Sequence, residues 1–466
     1  MKYIKPNIST LLVALASVIF YLSFAYDLDR SNFIKLLALY AGLFFTAWRI
    51  IVHSKFNFWV LAAMGVLFRL LFIGAVPNLS QDFYRFLWDG RLLIQGADPY
   101  IVAPQQFITD PALALGATSG KTVPQAARLI AGMGELNAGH YSNYPPVNQL
   151  LFAIAALFAK HSVIGSVIVL RVLIVIADVG ILYFGKKMLQ KLRLPPKNIF
   201  LYFLNPFVII ELTGNLHFEG VMLFFVVWAL YLFFKRKWFW AALLLGVSVS
   251  VKLIPLLFLP LFFGWSVKPK TGFFGFGTIR FTLFCVVTLA TVLLFFAPFL
   301  SSGFVENFSS TIALWFGNFE FNASVYYIIR WVGYRTVGWN IIGTVGKVLP
   351  VIVVVFVLGL AFFRKNDTPQ KLITAMLFAV SFYLLLATTV HPWYIVTPLV
   401  LSVFTKYRFP LVWGFVVVVS YSAYGAGGVK ENLWLVASEY VLVTAFALWE
   451  LFVKKPDRRQ LHNPLH

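Results

Sequence analysis

The chain has 466 residues, of which 60% are hydrophobic, 18% aromatic and 12% charged. That composition excludes an ordinary soluble globular protein and fits a polytopic α-helical membrane protein. The net charge of +21 invites a nucleic-acid partner, but the basic residues stand in short loops between apolar runs, which is the positive-inside pattern and suits anionic lipid headgroups instead.

Lys2 and Lys5 precede a first run of spanning length, which reads as a signal-anchor entering from the cytoplasm. Spans are predicted near 8–26, 33–52 and 57–77, so the longest non-membrane segment, 78–144, emerges on the outer side. Within it, Thr122–Met133 reads as a second short helix. After Tyr144-Pro145-Pro146 a run to Ala159 is short for a crossing and reads as a re-entrant half-helix, and 163–185 returns the chain to the basic loop 186–197. A hairpin follows, 199–215 and 221–234, with Gly214-Asn215-Leu216-His217-Phe218-Glu219-Gly220 at its outer tip. The run 238–265 begins and ends beside inside-type loops, so it is predicted as two short helices meeting at Lys252-Leu253-Ile254-Pro255. Such broken helices occur where backbone is buried in protein or lines a cavity. A span at 280–300 leads to a second outer loop, 301–336, and spans near 338–363, 370–388, 393–405, 409–425 and 434–453 complete about thirteen crossings in a single domain, 1–466. The lone Cys285 lies in an apolar run, and Gly272-Phe273-Phe274-Gly275-Phe276-Gly277 follows no strand and is not a phosphate loop.

The chemistry points to Ser80-Gln81-Asp82-Phe83-Tyr84-Arg85-Phe86-Leu87-Trp88-Asp89-Gly90-Arg91, which runs on to Gly96-Ala97-Asp98-Pro99-Tyr100. At helical spacing Asp82, Arg85 and Asp89 share one face, and Phe83, Leu87 and Ile94 another. This predicts a helix lying on the membrane surface with its acids held just above the lipid. The outer ends of the predicted elements bring Asp82 and Asp89 near His217, Glu219, Lys252 and His391, while Arg69 and Arg171 stand in otherwise apolar runs, where an ionisable group is a functional candidate by default. A carboxylate can take a proton from an attacking hydroxyl, and cations can hold a lipid-linked phosphate as it leaves. In-line attack would invert the anomeric centre, by analogy with inverting glycosidases.

Each residue has an ordinary alternative. Arg85 with Asp89 could be a surface i, i+4 pair, and His217 with Glu219 either a metal-ligand pair or the tip of a helix hairpin. Lys252 and Arg69 could snorkel to the interface, and His391 could cap a helix. No metal is required by these residues, although a divalent cation is compatible with them.

On these residues the sequence resembles the GT-C superfamily of integral-membrane glycosyltransferases, nearest to polyprenyl-phosphate-mannose-dependent mannosyltransferases such as the catalytic subunit of GPI mannosyltransferase I. The matching pieces are Asp82, Gly96-Ala97-Asp98-Pro99-Tyr100, Tyr144-Pro145-Pro146, the hairpin with Asn215, His217 and Glu219, and Lys252 with Pro255. Where the GPI enzyme has Asp-x-Asp, this chain has Ser80-Gln81-Asp82. The resemblance implies an all-α transmembrane bundle with Asp82 as catalytic base. It further implies Lys252, Arg69, Arg171 and His391 on a polyprenyl-phosphate-sugar donor, Arg85, Arg91, Tyr100 and Tyr144 in the substrate loop, and Asp89, His217 and Glu219 in support. The expected enzyme is a mannosyltransferase of the cytoplasmic membrane, working on its outer face on a glycan or lipid-linked acceptor. The rival from another class is a polyprenol-linked glycan flippase, which would place ionisable groups at the bilayer midplane on facing helices.

Overall fold

The computed structural model describes residues 8–53, 56–266, 276–425 and 428–453. Lys2, Lys5, most of the Gly272–Gly277 run and the basic tail from Lys454 lie outside them.

The chain opens with a pair of packed helices, α1 (Ile8–Tyr26) and α2 (Phe33–His53), joined by a turn whose Asn32 side chain accepts the Lys35 N–H and so caps α2. Asn57 caps α3 (Phe58–Leu70) in the same way. The long segment 78–144 then supplies α4 (Asp82–Leu93), two short turns of helix at Gln106–Thr109 and Pro111–Ala117, and α5 (Ala126–Ala138), which is kinked at Gly134. Pro146 occupies the first turn of α6 (Pro146–Ala159), where its missing N–H costs nothing, and Ser162 caps the 29-residue α7 (Val163–Lys191).

Next, α8 (Pro206–Gly214) and α9 (Glu219–Phe234) form a pair bent by 115° about the Asn215–Phe218 tip. The predicted break in 238–265 is present: α10 (Trp238–Val251) stops at Lys252, whose backbone is extended (φ −148°, ψ 143°), and α11 (Ile254–Ser266) restarts with Pro255 in its first turn. Then come α12 (Gly277–Phe299), α13 (Ser302–Gly317), α14 (Val325–Thr336), α15 (Ile342–Phe362), α16 (Pro369–Leu386), α17 (Pro392–Val403), α18 (Phe409–Ala423) and α19 (Leu433–Val453). Strand is confined, among the described residues, to the two-residue hairpin Tyr424–Gly425 with Gly428–Val429 and a parallel bridge between Phe321 and Thr389.

Seven described helices, α1, α2, α7, α12, α15, α16 and α19, are long and apolar enough to cross a membrane, or eight spans if the bent pair counts as one. Most of the other predicted crossings fall on six shorter apolar helices, α3, α6, α10, α11, α17 and α18. A 14-residue helix such as α6 rises only ~21 Å against a hydrocarbon core of ~30 Å. By length and composition, seven or eight of the expected crossings are present among the described residues.

The structure also corrects the reading of α4. It does not lie on a surface; residues 85–92 are all buried, and the helix is wedged between α5 and α6. Gly90 allows this, because a Cβ there would meet the Phe152 carbonyl of α6. The polar face finds protein partners instead of water. Arg85 Nε donates to Asp89 Oδ1 (2.7 Å), and Asp89 Oδ2 accepts from Ser142 Oγ (2.5 Å) and Gln149 Nε2 (3.0 Å).

Candidate active site

Asp82 is positioned by a clamped segment just ahead of it. Asn78 Nδ2 donates to the carbonyls of Phe24 (2.7 Å) and Leu28 (3.2 Å), fixing the segment to the end of α1. The Leu79 N–H donates to Asn215 Oδ1 (3.1 Å) at the tip of the bent pair, and the Leu79 carbonyl accepts from Arg30 Nη1 (3.3 Å). Asp82 then opens α4, where the unpaired N–H groups of the first turn favour an anion. Its Oδ1 accepts from Asn137 Nδ2 (3.3 Å), and the Tyr144 hydroxyl donates to the same carboxylate. Burial pushes the Asp82 carboxyl above its ordinary range, against the opposing pull of the Lys252 ammonium and these two hydrogen bonds.

The carboxylate faces a cavity of about 680 Å³. One wall comes from the 78–144 segment, with Asp82, Arg85, Asn137 and Tyr144, and the broken helix adds Lys252. The opposite wall comes from α13 and the chain beyond it, with Trp315, Phe319, Glu320 and Phe321, and from the start of α17, with His391, Trp393 and Tyr394. Backbone bonds tie these two parts of the far wall together: Phe321 N–H to the Thr388 carbonyl (3.1 Å) and Val390 N–H to the Phe321 carbonyl (2.8 Å).

Behind the lining, Lys252 Nζ is paired with the fully buried Glu219. His217 lies flat on Trp393 (ring centroids 3.6 Å apart), Trp393 on His391 (4.5 Å) and His391 on Phe321 (5.2 Å), a stack of four rings edging the cavity. Within it, His391 Nδ1 and His217 Nε2 are buried with no hydrogen-bond partner. Such groups are costly unless a ligand or water completes them.

Of the residues singled out by sequence, the structure brings Asp82, Arg85, Tyr144, Lys252 and His391 to the cavity, with Glu219 and His217 directly behind it. The others are placed elsewhere. Arg69 is fully buried between α3 and α7; its Nε donates to Asp178 Oδ2 (2.7 Å) and its Nη1 to the carbonyls of Gly65 and Phe203. Arg171 spends its donors on the Thr213, Gly214 and Ile73 carbonyls, where two helices end and leave acceptors unpaired. Neither arginine lines the cavity, and both tie helices together through these bonds. Arg91 caps the carbonyls of Pro124 and His161, the Tyr100 hydroxyl donates to the Tyr144 carbonyl (2.6 Å), and Asp89 orients Arg85.

Sequence reasoning missed Arg30, Asn137 and Asp178. Arg30 sits in a polar turn with no periodic signal, Asn137 is a polar residue in the last turn of α5, and Asp178 is a single acid in a long apolar run. Among the described residues no group of three or more His, Cys, Asp or Glu is placed to hold a metal ion.

A bundle of membrane-length helices whose cavity brings the Asp82 carboxylate together with Arg30, Arg85 and Lys252 fits an integral-membrane glycosyltransferase of the GT-C type. Residues 20–268 match the sequence model "Alpha-(1->6)-mannopyranosyltransferase, N-terminal domain" of the MptA/B family. That is more than half of the 466 residues, and the chain belongs to this family of mannosyltransferases. It is similar along most of its length to alpha-(1->6)-mannopyranosyltransferase A of Mycobacterium tuberculosis (strain ATCC 25618 / H37Rv), 21% identical over 448 residues, covering 90% of this chain and 80% of that protein.

Proposed function

We propose that this mannosyltransferase takes mannose from a polyprenyl-phosphate-linked donor and attaches it to a hydroxyl of a glycan or lipid-linked acceptor. It works on the outer face of the cytoplasmic membrane and inverts the anomeric carbon. The observation that carries the reading is the Asp82 carboxylate at the start of α4, lining the same cavity as the Lys252 ammonium and feeling its charge. Asp82 accepts the proton of the attacking hydroxyl, whose oxygen bonds to the anomeric carbon as the bond to the phosphate oxygen breaks. The phosphate departs as an anion and needs no proton, so one base and a cavity lined by cationic side chains, Arg30, Arg85 and Lys252, suffice.

The linkage follows the family's name, α-(1→6). An α product formed with inversion requires a β-linked donor. The carboxylate's partners support a base over a nucleophile: Asn137 and Tyr144 hold it in place by hydrogen bonds, as fits a group that only receives a proton. The aromatic rings of the far wall suit the apolar faces of sugar rings.

Membranes containing the overproduced chain, supplied with β-polyprenyl-phosphate-[¹⁴C]mannose or with a nucleotide-activated mannose, test the donor. Incorporation from the lipid-linked sugar alone, into an α-linked product, is the expected result. Incorporation from the nucleotide sugar in membranes stripped of polyprenyl phosphate would overturn the donor assignment.

A further inference from the structure

We propose that Arg30, in the turn between α1 and α2, is the seat of the donor's phosphate. The proposal rests on the polyprenyl-phosphate reading above. Three basic side chains other than histidine line the cavity: Arg30, Arg85 and Lys252. Two of them are already neutralised. Arg85 is bonded to Asp89 and to the Asn137 and His140 carbonyls, and Lys252 is paired with Glu219. Arg30 has no carboxylate within ion-pair distance among the described residues. Asp27, in the same turn, is taken by Lys35 (2.5 Å), and Asp29 Oδ1 accepts from the Ser31 N–H and hydroxyl.

Arg30 is nonetheless held in place. Its guanidinium lies 4.3 Å over the Tyr424 ring, and one nitrogen, Nη1, donates to the Leu79 carbonyl (3.3 Å), three residues ahead of Asp82. A guanidinium fixed by a ring face and one carbonyl keeps most of its five N–H donors for a ligand. Its planar fork matches phosphate bidentately, and a lone cation on a cavity wall attracts an anion. Leu79 thus links the anion seat to the base, with the reacting bond between them. The same chemistry could serve a phosphodiester in a lipid-linked acceptor, so the test separates the two sources.

Wild type, Arg30→Ala and Arg30→Lys, purified in detergent and checked for equal melting, are assayed for donor KM, acceptor KM and inhibition by polyprenyl phosphate, the by-product. Removing a ligand-paired charge is expected to raise donor KM and the polyprenyl-phosphate inhibition constant together by ~10- to 100-fold in Arg30→Ala. Acceptor KM stays unchanged, and Arg30→Lys recovers only part of the loss because it lacks the fork. A rise in acceptor KM alone, or no change in either, overturns the proposal. If Arg30→Ala does not fold, unchanged donor KM in Arg30→Lys overturns it equally. Wild type that retains no labelled polyprenyl phosphate at all sinks the donor reading itself, a failure distinct from that of Arg30.

Discussion

At the scale of single residues, Asp82 combines two opposed demands. Burial raises its pKa and makes it a stronger base, while Asn137, Tyr144 and Lys252 hold enough of it ionised to accept a proton. Because the charged form is the working one, kcat/KM should fall as pH drops through the raised pKa. The acid limb should therefore lie above the ~3.9 of an unperturbed aspartate. Asn137→Ala removes a hydrogen bond that favours the anion, so it should move that limb further up while leaving the high-pH plateau in place. A pH profile of both proteins checks the sign. The stability consequence runs the other way. A carboxyl whose folded pKa is raised contributes stability only while protonated, and loses it as pH rises through that pKa. At neutral pH Asp82 is thus a cost to the fold, and Asp82→Asn should melt at or above the wild-type temperature while losing activity. A melting temperature several degrees lower would contradict this. Asp82 was legible in the sequence as an acid opening a helix after a long apolar run. Arg30 was not, because its value depends on Asp27 and Asp29 being taken by Lys35 and Ser31, which only the fold reveals.

At the scale of elements, the sequence marked where helices break but not what their polar groups meet. A charge followed by proline at Lys252–Pro255, and Pro145-Pro146 before α6, interrupt apolar runs in ways that leave little choice. The amphipathic spacing of α4 was read correctly as two faces, yet its polar face is covered by Asn137, His140, Ser142 and Gln149, all more than fifty residues along the chain. Local periodicity cannot distinguish such a partner from water. Gly90 is the point of closest approach to α6, and a Cβ there meets backbone that cannot yield. Gly90→Ala should cost on the order of 1–3 kcal/mol, seen as a lower melting temperature in detergent. The Arg69–Asp178 pair joins α3 to α7 with both side chains fully buried. Breaking it by Arg69→Met leaves Asp178 uncompensated and should destabilise by about 3–5 kcal/mol. Donor KM of the folded fraction should stay as in wild type, which separates helix tying from phosphate contact; a KM rise without loss of stability would restore Arg69 to the binding machinery.

At the scale of the whole molecule, the described residues hold seven to eight membrane-length helices and six shorter apolar ones, while the cavity is lined chiefly by the segments between them. Hydropathy made the class plain, and charge asymmetry among loops gave an orientation that helix length alone does not. That orientation is open to a direct check on a Cys285→Ser background. Leu113→Cys, exposed in the first outer segment, should react with a membrane-impermeant maleimide on intact cells. Arg236→Cys, exposed between α9 and α10, should react only after permeabilisation. The reverse pattern would turn the protein over.

The central claim is that Asp82 is the base of a mannosyl transfer from a polyprenyl-phosphate donor. Its most direct test is the transfer rate of wild type and Asp82→Asn reconstituted in the same vesicles with β-polyprenyl-phosphate-mannose and acceptor. General-base removal predicts a fall of ~10²–10⁴-fold with donor binding retained. Transfer by Asp82→Asn at the wild-type rate would contradict the account.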